Sequence, residues 1–211
     1  MKRKVFMPLV HVGGSMRMKF FHSLMDALKS FNGEIEIAWA EFSNGIYVNR
    51  ARNCAASQFL REGNLGDALV FVDLDIVFSP ADLRRLIESP HEVVGGLYYL
   101  KDQEKRQACC RVKDPLEAQE KFGGVVEALR VGTGFMKIER GVFEKLKEAA
   151  KPYRHYCGNR EWDFFCQPIS EEGELVSEDW GFCDLVRSAG MKVMLDTGIR
   201  VRHEGFCLYP I

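Results

Sequence analysis

The stretch ALVFVDLDIVFSP, residues 68–80, is the part of the sequence that indicates the fold most clearly. Its first five residues are apolar and follow a Gly-Asp pair, the pattern of a strand buried on both faces in the middle of a parallel sheet. Two carboxylates, Asp73 and Asp75, come directly after it. Because ligands bind at the carboxyl ends of the strands in an open α/β sheet, the stretch predicts a ligand site there.

The spacing of Asp73 and Asp75 predicts a metal site. Residues i and i+2 of an extended chain point the same way, so the two carboxylates should converge. Converging like charges repel each other unless a divalent cation lies beside them. We therefore predict a metal–diphosphate site at these two residues. The alternative is that one carboxylate caps a turn and the other is solvated.

The elements around this stretch alternate as in an α/β protein. A first strand is predicted over 4–10 and should end near Pro8, since proline suits the end of a strand. Ser79 and Pro80 are a strong start signal for a helix that ends before Pro90. The other predicted elements of this half are helices over 16–31 and 49–62 and strands over 34–40 and 91–100. Their alternation indicates a mostly parallel central sheet flanked by helices.

The second half is less regular and predicts a smaller antiparallel portion on the acceptor side. Residues 101–121 are polar and poorly periodic, which predicts a long loop and a candidate lid. Strands are predicted over 125–129, 135–138, 191–195 and 198–203, and helices over 141–150 and from Ser177 to Gly190. We expect one domain, with a nucleotide-binding half at 1–100 and an acceptor half at 101–211. A second interpretation makes it the N-terminal domain of a longer protein.

Composition excludes several classes of function. The 211 residues are 46% apolar, enough for a core, and the net charge of -1 gives no broad field for nucleic acid or an anionic membrane. The sequence lacks a signal-peptide pattern and any apolar run near the roughly 18 residues of a membrane span. Seven cysteines without zinc-ribbon spacing indicate a reducing, cytoplasmic chain. A metal site at Cys157 and Cys166 is a minor alternative.

Two arginines, Arg50 and Arg52, fall in the predicted first turn of the helix over 49–62, where they oppose the helix dipole. A pyrophosphate or a carboxylate should compensate them. The alternative is that both are exposed and merely tolerated. Contact of Arg52 with a ligand is our prediction.

The loop after the first strand contains Gly13 and Gly14 but lacks G-x-G-x-x-G, so it is no dinucleotide fingerprint. It still lies at the carboxyl end of a first strand, where a nucleotide base often binds. We therefore predict that Pro8 and Val10 contact the nucleotide.

Taken in order, the motifs of this chain resemble the GT-A class of nucleotide-sugar glycosyltransferases. In particular, they are similar to those of the small domains encoded by large DNA viruses of algae, and the resemblance covers essentially the whole chain. The motifs are RNCAA at 52–56, FVDLD at 71–75, GTGF at 132–135, SEDW at 177–180 and the late His203.

The resemblance implies a metal-dependent enzyme that moves a hexose or deoxyhexose from a UDP-sugar donor to a glycan acceptor. It implies Mn²⁺ or Mg²⁺ on the donor diphosphate, with Asp75 as a direct ligand, Asp73 near the ribose or the metal, and His203 completing the metal shell. Leu74 and Gly134 would contact the nucleotide sugar. A virus-encoded enzyme of this kind would act in the host cytoplasm.

The resemblance also implies that Asp179 is the general base of an inverting transfer, with Glu178 as the substitute. Inversion needs a carboxylate that takes the proton of the acceptor hydroxyl on the face opposite the leaving group. Ser177 as N-cap would place both acids in the first helical turn, where the dipole favours anions. The same preference explains acids at this position without any catalytic role.

Two other functions fit parts of the sequence. A haloacid-dehalogenase-type phosphatase also places D-x-D after an apolar strand and would use Asp73 as its nucleophile. Ile76 and Val77 in place of the usual Gly-Thr, and a motif on about the third strand, argue against it. The other alternative is a non-catalytic module that binds a nucleotide sugar.

Overall fold

The computed structural model describes residues 2–11, 14–43, 47–101 and 107–205, together with the backbone of 208–209. Strands and helices alternate along its first half. They are β1 (Arg3–His11), α1 (Met18–Phe31), β2 (Ile35–Ser43), α2 (Val48–Arg61), β3 (Ala68–Val72), β4 (Ile76–Val77), α3 (Pro80–Glu88) and β5 (Val93–Leu97), with a 3-10 turn at Gly63–Leu65.

The second half contains shorter elements. They are β6 (Cys110–Val112), α4 (Pro115–Glu120), β7 (Val125–Val131), β8 (Phe135–Glu139), α5 (Arg140–Leu146), β9 (Pro152–Arg154), β10 (Arg160–Trp162), α6 (Glu178–Ser188), β11 (Val193–Arg200), β12 (Arg202–Glu204) and β13 (Leu208–Tyr209).

The central sheet has eight strands in the order β2-β1-β3-β8-β5-β11-β7-β6. Six of the eight run in one direction, and β8 and β7 run opposite to them. Strands β4, β12 and β13 form a small second sheet, and β9 and β10 form a separate hairpin. The predicted fold, a mostly parallel sheet flanked by helices with a smaller antiparallel portion, is confirmed.

The strand β3 lies inside this sheet, as its sequence predicts. All five of its residues are buried, and it pairs with β1 on one side and β8 on the other. Helices α2, α5 and α6 cover one face of the sheet through side chains such as Phe59, Phe143 and Phe182. Helices α1 and α3 cover the other face through Phe20 and Leu86. Each such burial stabilises the fold by about 1.5–3 kcal/mol, which fixes the end of β3 between two helical layers.

The prediction that the first strand ends near Pro8 was wrong, because β1 continues to His11. Strand β1 pairs with β2 along its whole length but with β3 only at Val5 and Phe6. The missing N–H of Pro8 is therefore tolerated, because the pairing of β1 with β3 has already ended before this residue.

The prediction of a long loop over 101–121 was wrong in part, since this range contains β6 and α4. Asp114 caps α4 by accepting hydrogen bonds from the N–H groups of Leu116 and Glu117, and Pro115 follows it. Residues 102–106 of the candidate lid lie outside the described residues.

Near the chain end, one strand, β11, replaces the two strands predicted over 191–195 and 198–203. The short strand β12 follows it directly. Within the described ranges, no helix has the length and apolar character needed to cross a bilayer.

Candidate active site

The chain turns at Asp73–Leu74–Asp75 directly after β3. The N–H of Ile76 donates to the carbonyl of Asp73 at 2.9 Å, which closes the turn. The expectation that Asp73 and Asp75 converge as alternate residues of an extended strand was therefore wrong. Both residues nevertheless line one cavity at the end of β3, so the predicted position of the site is retained.

Asp75 faces His203 because β4 pairs with β12 in the small sheet. This pairing sets His203 opposite Ile76, and the N–H of Glu204 donates to the carbonyl of Asp75 at 2.7 Å. As a result, Nε2 of His203 lies 3.3 Å from Oδ1 of Asp75. The side chain of Lys101 contacts the other oxygen of Asp75.

The carboxylate of Asp75 is held in its charged form. Burial would raise the pKa of Asp75, but hydrogen bonds from His203 and Lys101 outweigh burial and lower the pKa to about 2. A half-buried carboxylate that stays charged at neutral pH suits a bound cation.

The ring of His203 is oriented by the main chain. Nδ1 lies 3.2 Å from the carbonyl oxygen of Tyr99, and a carbonyl can only accept, so Nδ1 carries the proton of this hydrogen bond. In the neutral ring Nε2 then presents its lone pair to Asp75. Two electron-rich atoms 3.3 Å apart need a positive charge between them, which is either a second proton on the ring, with Nε2 then donating to Asp75, or a bound cation. Asp75 and His203 together can hold a divalent cation.

Asp73 is not part of that pair. Among the described residues, the three predicted metal ligands Asp73, Asp75 and His203 form no cluster with all ligand atoms within 4.8 Å of one another. Oδ1 of Asp73 instead accepts a hydrogen bond of 2.9 Å from Nη2 of Arg52.

Arg52 joins the two halves of the site. Its side chain is 4% exposed, and Nη1 donates to Oε1 of Glu178 at 2.5 Å while Nη2 holds Asp73. Burial would lower the pKa of Arg52, but the charges of Asp73 and Glu178 outweigh it and raise the pKa. The sequence correctly predicted an anionic partner, and in the structure this partner is a pair of carboxylates. Helix α2 begins at Val48, so Arg52 lies just beyond the first turn.

Glu178 and Asp179 open helix α6, as the sequence predicts. Ser177 occupies the N-cap position, but its side chain makes no capping hydrogen bond, and its hydroxyl donates to Oδ1 of Asp179. The N–H of Trp180 donates to the same oxygen at 2.8 Å. Within the described ranges, Oδ2 of Asp179 accepts no hydrogen bond, so it is available to a substrate. Burial raises the pKa of Glu178, although Arg52 opposes this shift.

Two cavities lie beside this network. The smaller, of about 290 Å³, is lined by Val10, His11, Ser15, Arg17, Val48 and the turn 73–75. The larger, of about 850 Å³, includes Glu178, Asp179, Trp180, Arg111 and Arg130 in its wall. Arg52 bridges a carboxylate of each, so the cavities are neighbours. Both volumes suit small ligands.

The remaining predicted contacts fall in different places. Val10 and Leu74 line the smaller cavity, whereas Pro8 is buried within β1 and does not line it. Gly134 is buried beside Asp73: a Cβ atom there would lie 2.9 Å from Oδ2 of Asp73 and 2.7 Å from the hydroxyl of Tyr98. Gly134 therefore keeps room for the Asp73 side chain. Residues 12 and 13 of the glycine loop lie outside the described residues.

Sequence reasoning missed several residues of this site. Arg17, at the start of α1, lines the smaller cavity, and its N–H donates to the carbonyl of Leu74 at 3.2 Å. Lys101 and Tyr99 contact Asp75 and His203. A basic residue next to a glycine loop is the one sequence signal that could have drawn attention to Arg17.

No protein-family model and no curated protein matches this sequence. Solved structures do match. The crystal structure of A197 from STIV aligns with a TM-score of 0.59 and 23% identity over 96% of this chain and 86% of that chain. The crystal structure of GalNAc-T7 with UDP, GalNAc and Mn²⁺ aligns with a TM-score of 0.54 and 15% identity over 95% of this chain and 44% of that chain.

At these identities the likeness establishes the fold. The chain has a GT-A-type α/β fold, shared with a glycosyltransferase.

Proposed function

We propose that this protein is a metal-dependent glycosyltransferase that moves a hexose or deoxyhexose from a UDP-sugar donor to a glycan acceptor with inversion. One observation carries the proposal: Asp75, which contacts His203, lines one cavity, Asp179 lines a neighbouring cavity, and Arg52 connects a carboxylate of each. The GT-A-type fold supports it, as does GalNAc-T7, whose structure contains UDP, GalNAc and Mn²⁺.

In this proposal, Asp75 and His203 hold Mn²⁺ or Mg²⁺, with Asp73 beside them at the ribose or the metal. The ion, when bound, neutralises the negative charge that develops on the leaving diphosphate. Asp75 contributes a carboxylate that stays ionised, since its pKa is about 2. His203 contributes Nε2, because its Nδ1 is engaged with the carbonyl of Tyr99.

The smaller cavity is the proposed nucleotide site. Val10, Leu74 and Arg17 line it, and Arg17 adds a positive charge that suits a diphosphate. Arg52 acts mainly through its two carboxylate partners. By pairing with both, it holds the Asp73 turn and the start of α6 in fixed positions relative to each other. Arg52 therefore contributes to nucleotide binding indirectly, because it positions Asp73 and adds a positive charge to the site.

Asp179 is the proposed general base. Its Oδ1 is fixed by Ser177 and by the N–H of Trp180, which leaves Oδ2 for the hydroxyl of an acceptor in the larger cavity. Glu178 is the weaker candidate because its Oε1 already accepts from the permanently charged Arg52. In an inverting transfer, the base takes the hydroxyl proton while the acceptor oxygen attacks the anomeric carbon and the diphosphate leaves.

The larger cavity is the proposed site of the glycan acceptor. Trp180 offers an aromatic face, and the guanidinium of Arg130 lies 4.8 Å from the centre of its ring. Acidic and basic side chains, such as Glu172 and Arg111, complete a wall that can bind hydroxyl groups. The closer resemblance to enzymes of algal viruses and a place in the host cytoplasm stay predictions.

A thermal-shift panel tests this function. Nucleoside diphosphates and nucleotide sugars are each measured with and without Mn²⁺, and a ligand at 100 times its Kd should stabilise the fold by about 2.7 kcal/mol. We expect UDP and a UDP-sugar to stabilise the protein only when Mn²⁺ is present. Equal effects of all nucleotides, or none, contradict the proposal.

The products distinguish the transferase from the two alternative functions, a phosphatase and a non-catalytic binding module. A phosphatase would form an aspartyl-phosphate at Asp73, yet Oδ1 of Asp73 already accepts from Arg52. A binding module would take up UDP and metal but release no UDP from a UDP-sugar with any acceptor. Release of UDP that depends on the acceptor supports the transferase.

A further inference from the structure

A second group of metal-ligating side chains lies away from the two cavities. One ligand atom each of Cys54, His155 and Glu161 falls within 4.8 Å of the other two. Cys54 lies on helix α2, Glu161 on strand β10, and His155 just after β9 in the same hairpin. None of the three lines either cavity of the candidate active site.

Glu161 indicates that this group serves to bind a cation. Its side chain is 0% exposed, and Oε1 accepts no hydrogen bond of good geometry from the described residues, with the thiol of Cys54, a weak donor, beside the carboxylate. Oε2 accepts a hydrogen bond of 2.7 Å from the hydroxyl of Tyr153. No lysine or arginine in the described ranges forms an ion pair with it. A buried carboxylate with one free oxygen is costly unless a positive charge compensates it.

We propose that Cys54, His155 and Glu161 form a zinc-type metal site, with Cys157 as its fourth ligand. Thiolate, imidazole and carboxylate groups are the ligands that Zn²⁺ binds in four-coordinate sites. Sγ of Cys157 lies 2.9 Å from Nδ1 of His155, so the sulfur lies next to the three-residue group.

The spacing of the three side chains suits such an ion. Bonds of about 2.0–2.3 Å in a tetrahedral site hold ligand atoms roughly 3.3–3.8 Å apart. Atoms that already lie within 4.8 Å of one another need only small rotations to reach this spacing. The turn that carries His155 is exposed at its tip, where Tyr156 is 89% exposed, so the hairpin can adjust.

The hairpin is already docked on α2 around this group. The N–H of Trp162 donates to the hydroxyl oxygen of Ser57 at 3.1 Å, and Arg61 donates to the carbonyl of Arg160 at 3.0 Å. A metal bound between these contacts would fasten the hairpin to the helix that carries Arg52. The proposed role is structural, because a closed set of protein ligands leaves no open position for a substrate.

Cobalt substitution tests the site. The purified protein is stripped with a chelator and titrated with Co²⁺, which gives a thiolate-to-cobalt charge-transfer absorption only where cysteine is a ligand. We expect one thiolate-bound ion per chain, apart from any Co²⁺ at Asp75 and His203, together with this absorption, the strong visible bands of a tetrahedral site, and displacement of Co²⁺ by Zn²⁺. Absence of the thiolate absorption in the unmodified protein overturns the proposal.

Variants assign the absorption to this group. Cys54→Ala and His155→Ala should each weaken Co²⁺ binding at least about 10-fold, and His155 lies in the hairpin, so that variant tests the site even if Cys54→Ala folds poorly. Cys166→Ser and Asp75→Asn should keep the full absorption, since neither residue belongs to the group. An absorption that survives both Cys54→Ala and His155→Ala contradicts the assignment.

Tyr153 gives a finer test. Because its hydroxyl orients Glu161, Tyr153→Phe should weaken Co²⁺ binding by about 10–100-fold while the thiolate absorption remains at saturation. Loss of affinity without loss of the band is the signature of a residue that positions a ligand. Unchanged affinity in Tyr153→Phe would contradict the proposed positioning of Glu161 by Tyr153.

Discussion

Nε2 of His203 lies 3.3 Å from Oδ1 of Asp75, and the pairing of β4 with β12 creates this contact. The hydrogen bond between His203 and Tyr99 turns the imidazole so that its second nitrogen faces the carboxylate. The contact joins the D-x-D turn to a residue near the end of the chain. The proposed binding of metal and nucleotide depends on this contact between His203 and Asp75.

Replacing His203 should weaken metal binding and thereby nucleotide binding. We predict that His203→Ala lowers the Mn²⁺-dependent affinity for UDP at least about 10-fold, because one ligand of the ion is lost. The measurement is calorimetry of UDP at a fixed Mn²⁺ concentration. His22→Ala is the matched control, since His22 is exposed on α1, and it should bind UDP normally. Equal affinities of the two variants would remove His203 from the metal site.

Replacing Arg52 should affect both stability and binding. Arg52→Ala leaves Asp73 and Glu178 without their shared cation, and breaking a buried ion pair in this way costs about 3 kcal/mol of the free energy of unfolding. Nucleotide-sugar affinity should fall by about 1–3 kcal/mol. Denaturant unfolding and calorimetry measure the two effects.

The matched control for Arg52 is Arg50→Ala, two residues earlier on the same helix. Arg50 is exposed and contacts the ring of Tyr47 rather than a carboxylate. Its loss should change stability by no more than about 0.5 kcal/mol. If Arg52→Ala unfolds at the same denaturant concentration as Arg50→Ala, the ion-pair network does not hold the two halves of the site together.

Asp179 should affect turnover and not binding. Asp179→Asn keeps the shape of the side chain but cannot accept the proton, so transfer should fall by roughly 10²-fold or more while Mn²⁺-dependent UDP binding persists. Glu178→Gln should instead lower stability, because it breaks the ion pair with Arg52. Near-normal transfer by Asp179→Asn would place the base elsewhere, and Glu178 would be the next candidate.

The stereochemistry of the product tests the role of Asp179 independently. Asp179, whose Oδ2 accepts no hydrogen bond from the described residues, lies in the wall of the larger cavity, and a base at this position predicts inversion at the anomeric carbon. NMR of the first-formed product records the configuration before it mutarotates. A retained configuration rules out Asp179 as an inverting base.

Gly134 should tolerate no side chain. In Gly134→Ala the new Cβ would lie 2.7 Å from the Tyr98 hydroxyl and 2.9 Å from Asp73, so overpacking should cost about 1–3 kcal/mol and weaken UDP binding. Gly141→Ala is the control: nothing lies within 4 Å of its Cβ position, and alanine in helix α5 should be neutral or stabilising by up to about 1 kcal/mol. Thermal unfolding compares the two variants, and equal stabilities would refute the proposed crowding at Gly134.

Local signals in the sequence predicted the elements well. The apolar run of β3 is buried at every residue, and Ser79 forms a capping box with Asp82 at the start of α3. These features depend on neighbours in the chain, so pattern and composition suffice. Pro8 is one exception, because its tolerance within β1 depends on where the pairing of β1 with β3 ends, and the loop predicted over 101–121, which contains β6 and α4, is another.

For contacts between residues far apart in the sequence, the type of partner could be predicted but not its identity. A cation in the early part of α2 indicated an anionic partner for Arg52, but the choice of Asp73 and Glu178 follows from the packing of α2 between two halves of the chain. Asp75 contacts His203 because two short strands, β4 and β12, pair, and no local sequence pattern predicts this pairing. The cluster around Cys54 was missed for the same reason, since its other members lie on a hairpin far along the chain.

Calorimetric titration of UDP with and without Mn²⁺ tests the proposed metal–diphosphate site at Asp75. The unmodified protein should bind UDP tightly only with Mn²⁺, and Asp75→Asn should lose that dependence while its fold, followed by circular dichroism, is unchanged. Asp26→Asn, an exposed acid on α1, should behave as the unmodified protein. UDP affinity that is the same with and without Mn²⁺, or the same in Asp75→Asn and Asp26→Asn, would contradict a metal–diphosphate site at Asp75.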